Sequence, residues 1–408
     1  MGASNDFRTL WGKKDYRYEL KSLLRYDHKP EELRTDSINQ NTLFKRFYTD
    51  NSFSISAQKR YSISQLNVGL NTDVNNLQTA INPYVSPSLQ WNKDPWQTRF
   101  SLPVVWTNYP GANFSRISAR PSANIAYKPN YAWRFTLSAG FREQYGDILN
   151  FYGSPYYTDY RNIVVTPEKL PVQQIQNYNL YGEYKKTASE FFASLSLTYM
   201  LGKNSHISEQ KVENGYISVT PIEMSNLTTN RRIAGTVSKG FYDLKLNTSL
   251  SAQFSQNEGE RFSNGVKLPF QSNRINLEPK INWNYLRNIE CSYSANFALT
   301  GSKIGANELT PLWSVLQQLK LSYVLPAVEI NLSGDHYYNE VNNADPINNF
   351  FVDLSFRYKL EKWRFTVSMN NLLNKQQYGY TNYSEDRIYS SWIDIRGREF
   401  LVAVQYRF

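Results

Sequence analysis

Phe400-Leu-Val-Ala-Val-Gln-Tyr-Arg-Phe408 is the stretch whose reading decides the fold. In an extended chain Phe400, Val402, Val404, Tyr406 and Phe408 share one face, and Leu401, Ala403, Gln405 and Arg407 share the other. Strict alternation suits a strand with an apolar medium on one side and a wetter one on the other. Arg407, between two aromatics, does not suit the core of a soluble sandwich. In a membrane-spanning barrel it points into the lumen while Tyr406 and Phe408 hold the interface.

Composition extends this reading. The chain has 408 residues with 31 Tyr, 22 Phe and 9 Trp, so that aromatics reach 15%. Yet the mean hydropathy is −0.57, and no run approaches the roughly 20 apolar residues of a spanning helix. Many aromatics without apolar runs fit a barrel, where only alternate residues meet lipid and Tyr and Trp crowd the interfaces. A Tyr-rich soluble sandwich or propeller is the competing reading of composition alone. The single cysteine, Cys291, excludes an intramolecular disulfide framework and a Cys-based zinc cluster. The net charge of +10 comes from basic residues scattered singly. A lumen lined by Arg and Lys, or contact with anionic lipopolysaccharide, accounts for it better than nucleic acid, which is not expected as a partner.

Along the chain, strands alternate with tight polar turns and longer loops. The turns include Lys59-Arg60, Asn92–Pro95, Lys128–Asn130, Lys185–Ala188, Lys239-Gly240, Leu286–Asn288, Leu325-Pro326 and Leu360–Lys362. Aromatics bracket most of them: Trp91 and Trp96, Tyr127, Tyr131 and Trp133, Tyr184 and Phe191, Tyr285, Tyr323, Tyr358 and Trp363. A soluble fold has no reason to collar turn after turn with rings, whereas a membrane interface does. The alternation continues in Trp133–Phe141, in Phe191–Tyr199, in Phe350–Tyr358 and in Trp363–Met369. Facing lipid at mid-depth, Arg364 would cost roughly 2–4 kcal/mol, so the register is well determined.

The expected fold is therefore all-β: a transmembrane, antiparallel, up-and-down β-barrel over residues 15–408, preceded by an N-terminal stub, 1–14. About eighteen strands are expected. Long loops are expected around 146–172, 204–224, 257–271 and 375–392, on the side opposite the tight turns. Met1–Arg8 lacks the basic start and apolar core of a signal peptide. Since such a barrel must be exported, the expectation is a removed signal or a start inside a longer chain.

Several stretches carry a resemblance to a known family. These are Asn370-Asn-Leu-Leu-Asn-Lys375, Arg120–Pro129, Tyr156–Asn162, Thr166-Pro-Glu168, Gln176–Tyr184 and the aromatic ending. In this order they resemble the C-terminal barrel of TonB-dependent outer-membrane receptors, particularly the Bacteroidetes type. Leu373 stands where that type has Phe, and the Pro-Glu element lacks its leading Asn-Pro. The family has a plug inside a barrel of about 22 strands, and no plug or TonB-contacting segment is recognisable here. The resemblance thus implies a partial chain lacking the plug and first strands. It implies a bacterial outer-membrane location and uptake of a scarce nutrient, a metal chelate or glycan. TonB would be engaged only through the missing N-terminal part, and the barrel-assembly machinery would read Tyr406 and Phe408. The alternative is a plugless structural or passive barrel without energised transport.

His28, His206 and His336 recur at no ligand spacing, and His336 beside Asp335 points to the opposite strand face. Catalytic residues, metal and cofactor are accordingly not expected. The ligand-binding candidates are loop aromatics: Tyr152, Tyr156, Tyr157 and Tyr160 in one loop, and Tyr378, Tyr380, Tyr383, Tyr389 and Trp392 in the last. Such rings can stack on sugars or flat chelates, or pack on one another. The acidic pairs Glu258 with Glu260, and Glu385 with Asp386, are expected to bind bridging cations or to be solvated. Deleting Phe408 should lower the folded barrel in the outer membrane without changing ligand preference. Heat-modifiable gel mobility reads this, and unchanged folded levels would count against an assembly signal.

Overall fold

The computed structural model describes residues 2–34, 39–75, 78–146, 156–159, 162–165, 167, 169–213, 216–263, 265–284, 286–342, 344–383 and 388–407. Nearly all of them belong to one sheet of 26 strand segments, with a separate two-stranded hairpin. Chain neighbours are sheet neighbours. Gly2–Lys13 pairs with Tyr16–Arg34, which pairs with Asn39–Gln58, and the meander runs on to Trp363–Asn370 against Glu399–Tyr406. Two wall strands are each split by a proline, which brings no N–H to the ladder. One is Trp96–Ser101 with Val104–Tyr109; the other is Phe114–Ala119 with Ser122–Tyr127. Five short strands belong to loops, leaving nineteen antiparallel positions across the wall.

The two faces follow from the register. Leu137, Leu180, Leu197, Ile233, Phe254, Ile275 and Leu299 stand opposite one another across seven positions as an unbroken apolar belt. One residue along, the row reads Ser138, Asn179, Thr198, Arg232, Ser255, Arg274 and Thr300. A period of two puts these rows on opposite faces. The polar face is the more enclosed: Ser52 and Ser54 are 8% and 7% exposed, against 38% and 37% for Phe53 and Ile55. Among the described residues no large side chain is fully buried. The accessible surface is 26001 Å², where a compact monomer of this mass exposes about 16,000 Å². This chain is organised as a wall with its apolar side outward, not around a core.

Aromatic rings collar the tight-turn end. Trp96 meets Tyr127 at 4.5 Å between ring centroids, Trp133 meets Tyr184 at 4.7 Å and Trp363 meets Tyr406 at 4.7 Å. Tyr285 lies outside the described residues, as does Phe408.

Three expectations are corrected. Residues 1–14 are not a stub: Gly2–Lys13 is the first strand, with the Arg8–Glu19 ion pair on one face and Trp11 stacked on Tyr18 on the other. Its short, mixed alternation hid it, and it raises the strand count from about eighteen to nineteen. Residues 257–271 are not a long loop, because Leu246–Ser263 and Val266–Trp283 stay paired to their tips. There each face mixes polar and apolar side chains, so alternation fades while the ladder continues. The turn expected at Lys239-Gly240 falls at Tyr242–Leu244, a 3-10 turn closed by Lys245 in the left-handed region.

A further difference concerns closure. Among the described residues no pairing joins Gly2–Lys13 to Glu399–Tyr406, so the sheet keeps two free edges. It is nevertheless curved. One cavity is lined by Asp50 of Asn39–Gln58 and by Ile304 of Ile289–Ile304, eleven positions apart.

The Asn370–Lys375 element acquires a physical account. Asn371 and Asn374 both take left-handed backbone angles, φ 52° and 54°, which asparagine tolerates better than most residues. The Asn371 side chain donates to the carbonyls of Lys375 (2.6 Å) and Arg396 (3.1 Å), and accepts from the Lys375 N–H (2.9 Å). The Asn374 side chain accepts from the Arg398 N–H at 2.9 Å. The element thus ends one strand and grips the start of the last. Asn371→Ala should destabilise the fold by roughly 2–4 kcal/mol, from three lost bonds and left-handed strain. Chemical unfolding measures it, with faster amide exchange across Glu399–Tyr406; an unchanged midpoint would refute the staple.

Candidate functional site: the loop-end cavity

The long loops do not hang free at their end of the wall. Gln40 grips the backbone of Tyr157 on both sides, accepting from its N–H (2.9 Å) and donating to its carbonyl (3.0 Å). Tyr156–Tyr157 pairs with Asn162–Val164, which lies parallel to Tyr216–Ile222. That strand pairs with Ile207–Glu213, which touches Phe262 and Ser263 of the wall. Loop strands therefore form a canopy from the third wall position to the twelfth.

The canopy is fastened at a second place. The Val172 N–H donates to Ser205 Oγ (2.8 Å), whose hydroxyl faces His206 Nδ1 (2.8 Å), and Lys169 bonds Glu223 at 2.8 Å. Burial holds the His206 imidazole below the usual histidine range, with Lys169 adding to the effect and Glu223 opposing it. The Lys169 hydrogen bond holds the Glu223 carboxyl below the usual carboxylate range.

Beneath the canopy lies a cavity of about 1340 Å³. Its wall is a charge-paired polar surface. Glu143 accepts from Arg116 at 2.9 and 3.1 Å, from the Tyr145 hydroxyl at 2.7 Å and from Gln174 at 2.6 Å. Asp50 accepts from the Tyr84 hydroxyl at 3.0 Å; outside the lining, on the same strand as Asp50, Arg46 holds Asp73 with two bonds at 2.6 and 2.8 Å. Arg120 and Arg261 also face the cavity, Arg261 lying over the Phe270 ring at 5.1 Å. Such a surface suits a polar or charged small molecule held between tyrosines and guanidinium groups.

The aromatic candidates separate. Tyr152 and Tyr160 lie outside the described residues, and Tyr156 contributes its backbone to the canopy. Tyr157 is tied to Gln40, not to the last loop. That loop is the hairpin Gln377–Tyr383 with Ile388–Asp394, whose strands include Tyr383 and Tyr389. Tyr378 packs edge-on against Tyr337 at 5.7 Å and near Phe351 at 6.1 Å, with Tyr380 stacked on it at 6.1 Å. Asn349 donates to the Gly379 carbonyl at 2.6 Å, docking the hairpin on the wall. Trp392 lies over Gly379 and is 60% exposed, leaving it open to stack on a ligand. Among the described residues, the ring contacts of the last hairpin are with Tyr337 and Phe351 and not with Tyr157. Glu258 pairs with Arg231 and Glu260 with Lys267, so these carboxylates hold protein cations, while Glu385 and Asp386 lie outside the described residues.

Sequence reasoning missed the Arg116–Glu143–Tyr145 cluster and Arg120. Their signal is the inward half of the alternation: Arg116, Ser118 and Arg120 on one wall strand, Glu143 and Tyr145 on the next. It also missed a ladder on the apolar face. Tyr293 donates to Gln317 (2.9 Å), Gln317 meets His336 Nδ1 (3.1 Å) and His336 Nε2 meets Asn348 (3.0 Å). Asp335 bonds Gln318 on the other face.

No protein-family model and no curated protein matches the sequence. Among solved structures, the chain is similar to a ferric enterobactin receptor mutant from Pseudomonas aeruginosa bound to enterobactin: 9% identity, TM-score 0.34, covering 99% of this chain and 78% of that one. It is similar to the FrpB iron transporter from Neisseria meningitidis, with 8% identity, TM-score 0.34 and coverage of 100% and 79%. The copper transporter OprC gives 10% identity, TM-score 0.42 and coverage of 100% and 80%. Likenesses this weak carry no argument; fold and site rest on the pairing and side chains above.

His206 gives the canopy a pH dependence of defined sign. Its proton affinity is lower folded than unfolded, so the stability it lends is full above the unfolded value of about 6.5 and is lost as pH falls through the lowered folded value. Protonation makes Nδ1 a donor toward Ser205 Oγ whichever tautomer precedes it. Amide exchange across 205–213 should accelerate at pH 5 relative to pH 7.5, beyond the intrinsic rate change, and His206→Gln should remove that difference. A wild-type protein with no such acceleration would refute it.

Proposed function

We propose that this chain is the membrane-spanning wall of a bacterial outer-membrane receptor of the TonB-dependent type, which takes up a scarce nutrient such as a metal chelate or a glycan. One observation carries the reading: a continuous apolar belt left exposed on one face, above a collar of aromatic rings, with a polar and more enclosed face behind it. A soluble protein covers such a belt, and a bilayer covers it without further protein. Ligand enters past the canopy into the polar cavity, and the exposed Trp392 ring on the last hairpin offers a separate stacking surface. The chain is a partial wall, completed by further strands and a plug that couples it to TonB. Assembly proceeds through the barrel-assembly machinery, and lipopolysaccharide meets the outer rim of the wall. The order of the Asn370–Lys375 element, the Gln176–Tyr184 segment and the aromatic ending supports the family assignment.

Folding into lipid vesicles tests the membrane reading. Leu197→Arg, on the apolar belt, should cost roughly 2–4 kcal/mol, whereas Ser196→Arg, on the polar face, should change stability by no more than about 0.5 kcal/mol. Equal effects would refute it. The reading frame upstream of Met1 tests the receptor assignment. An in-frame plug and further strands support it, and a stop codon or promoter directly before Met1 leaves a passive or structural barrel.

A further inference from the structure

We infer that Arg120 is the anchor of an oxyanion-binding site in the loop-end cavity, and that the ligand taken there carries a carboxylate or phosphate group. The inference rests on reading the wall as a receptor barrel and names the ligand chemistry of its cavity.

Arg120 sits at the break between Phe114–Ala119 and Ser122–Tyr127, where Pro121 interrupts the ladder. Its backbone N–H is fixed on the Pro103 carbonyl at 2.7 Å, so the break is held and the side chain enters the cavity from a defined point. Around it, charges are matched. Arg46 is bound to Asp73, Arg116 to Glu143, and Asp50 and Glu143 each accept from a tyrosine hydroxyl. Arg120 differs: its Nε is buried and has no hydrogen-bond partner among the described residues. Neighbouring carboxylates already have donors and hold fixed orientations, so they do not turn to it. A buried guanidinium donor without an acceptor is costly, and a fold keeps one where an acceptor arrives from outside. The Nε–Nη edge of a guanidinium presents two parallel N–H groups, which match the two oxygens of a carboxylate or phosphate.

The surroundings define the rest of the ligand. Tyr84, Tyr109 and Tyr145 line the same cavity and supply ring surface, the Tyr84 and Tyr145 hydroxyls being held by Asp50 and Glu143. Arg261, stacked on Phe270, places a second positive charge across it. About 1340 Å³ admits a molecule well beyond a bare ion. The chemistry is that of a small organic anion, with the charged group on Arg120 and its body against the tyrosines.

The test uses the full chain folded in detergent micelles, in buffer free of phosphate and carboxylates, with citrate and inorganic phosphate titrated separately by calorimetry. Arg120→Gln should weaken citrate binding by about ten-fold or more, the scale of one charge-assisted bidentate contact. Arg120→Lys, which keeps charge but loses the fork, should fall between. Arg357→Gln, whose partner is Glu329, should bind as wild type. Weakening for citrate alone supports an organic carboxylate, and weakening for both probes supports a site for oxyanions generally. A wild-type chain that binds neither probe, or an Arg120→Gln chain that binds as tightly, overturns the site. Thermal unfolding without ligand is the second measurement. Removing a guanidinium whose buried Nε lacks an acceptor should leave Tm unchanged or raised, whereas a lowered Tm means a structural role and also overturns the inference. These results are separable from the membrane reading: a failed titration leaves the Leu197→Arg comparison standing, and a failed comparison leaves the titration standing.

Discussion

Everything in this structure depends on one obligation: each backbone N–H and C=O must find a partner, and here the partner lies on the neighbouring strand. Away from its two edges, the wall meets that obligation strand by strand, from Gly2–Lys13 to Glu399–Tyr406. With the backbone satisfied within the sheet, side chains on the two faces can answer to different surroundings. Hence Leu197 and Thr198, adjacent in sequence, belong to rows of opposite character. No core is needed because the ladder, not side-chain burial, sets the order of the elements.

Turns and staples serve the same ladder. The 3-10 turns at Thr187–Ser189 and Tyr242–Leu244 each end on a left-handed residue, Glu190 and Lys245, which redirects the chain into the next strand. At the far end Asn371 and Asn374 do the equivalent, with side chains substituting for backbone bonds that the irregular segment cannot make. The prolines at 103 and 121 mark a place where the ladder yields, and there Arg120 lines the cavity. A local loss of pairing is thus coupled to a polar group in the cavity.

How much of this was legible in the sequence depends on the environment each residue answers to. Alternation in Trp133–Phe141 or Phe191–Tyr199 is strong because two media differ sharply across the wall, and those strands read directly. Where each face mixes polar and apolar residues, as at Glu258–Ser263, the same backbone pairing leaves no periodic trace and reads as a loop. Gly2–Lys13 was obscured in a similar way, by Asp6, Arg8 and Asn5 among its few rings. The site was less legible still. Tyr378 reads in the sequence as a loop ring for a ligand or for other rings, and its partners Tyr337 and Phe351 come from strands the sequence does not place beside it. Arg120 looked like one more scattered cation; only the three-dimensional matching of its neighbours singles it out.

The two free edges have a consequence in parity. Across nineteen positions in which every neighbour is antiparallel, the first and last strands run in the same direction, both toward the tight turns. Brought together they would pair in parallel, with slanted bonds found nowhere else between wall neighbours. A ring that is antiparallel all the way round must contain an even number of strands. Such a ring can be completed from this wall only by an odd number of added strands, whatever polypeptide supplies them.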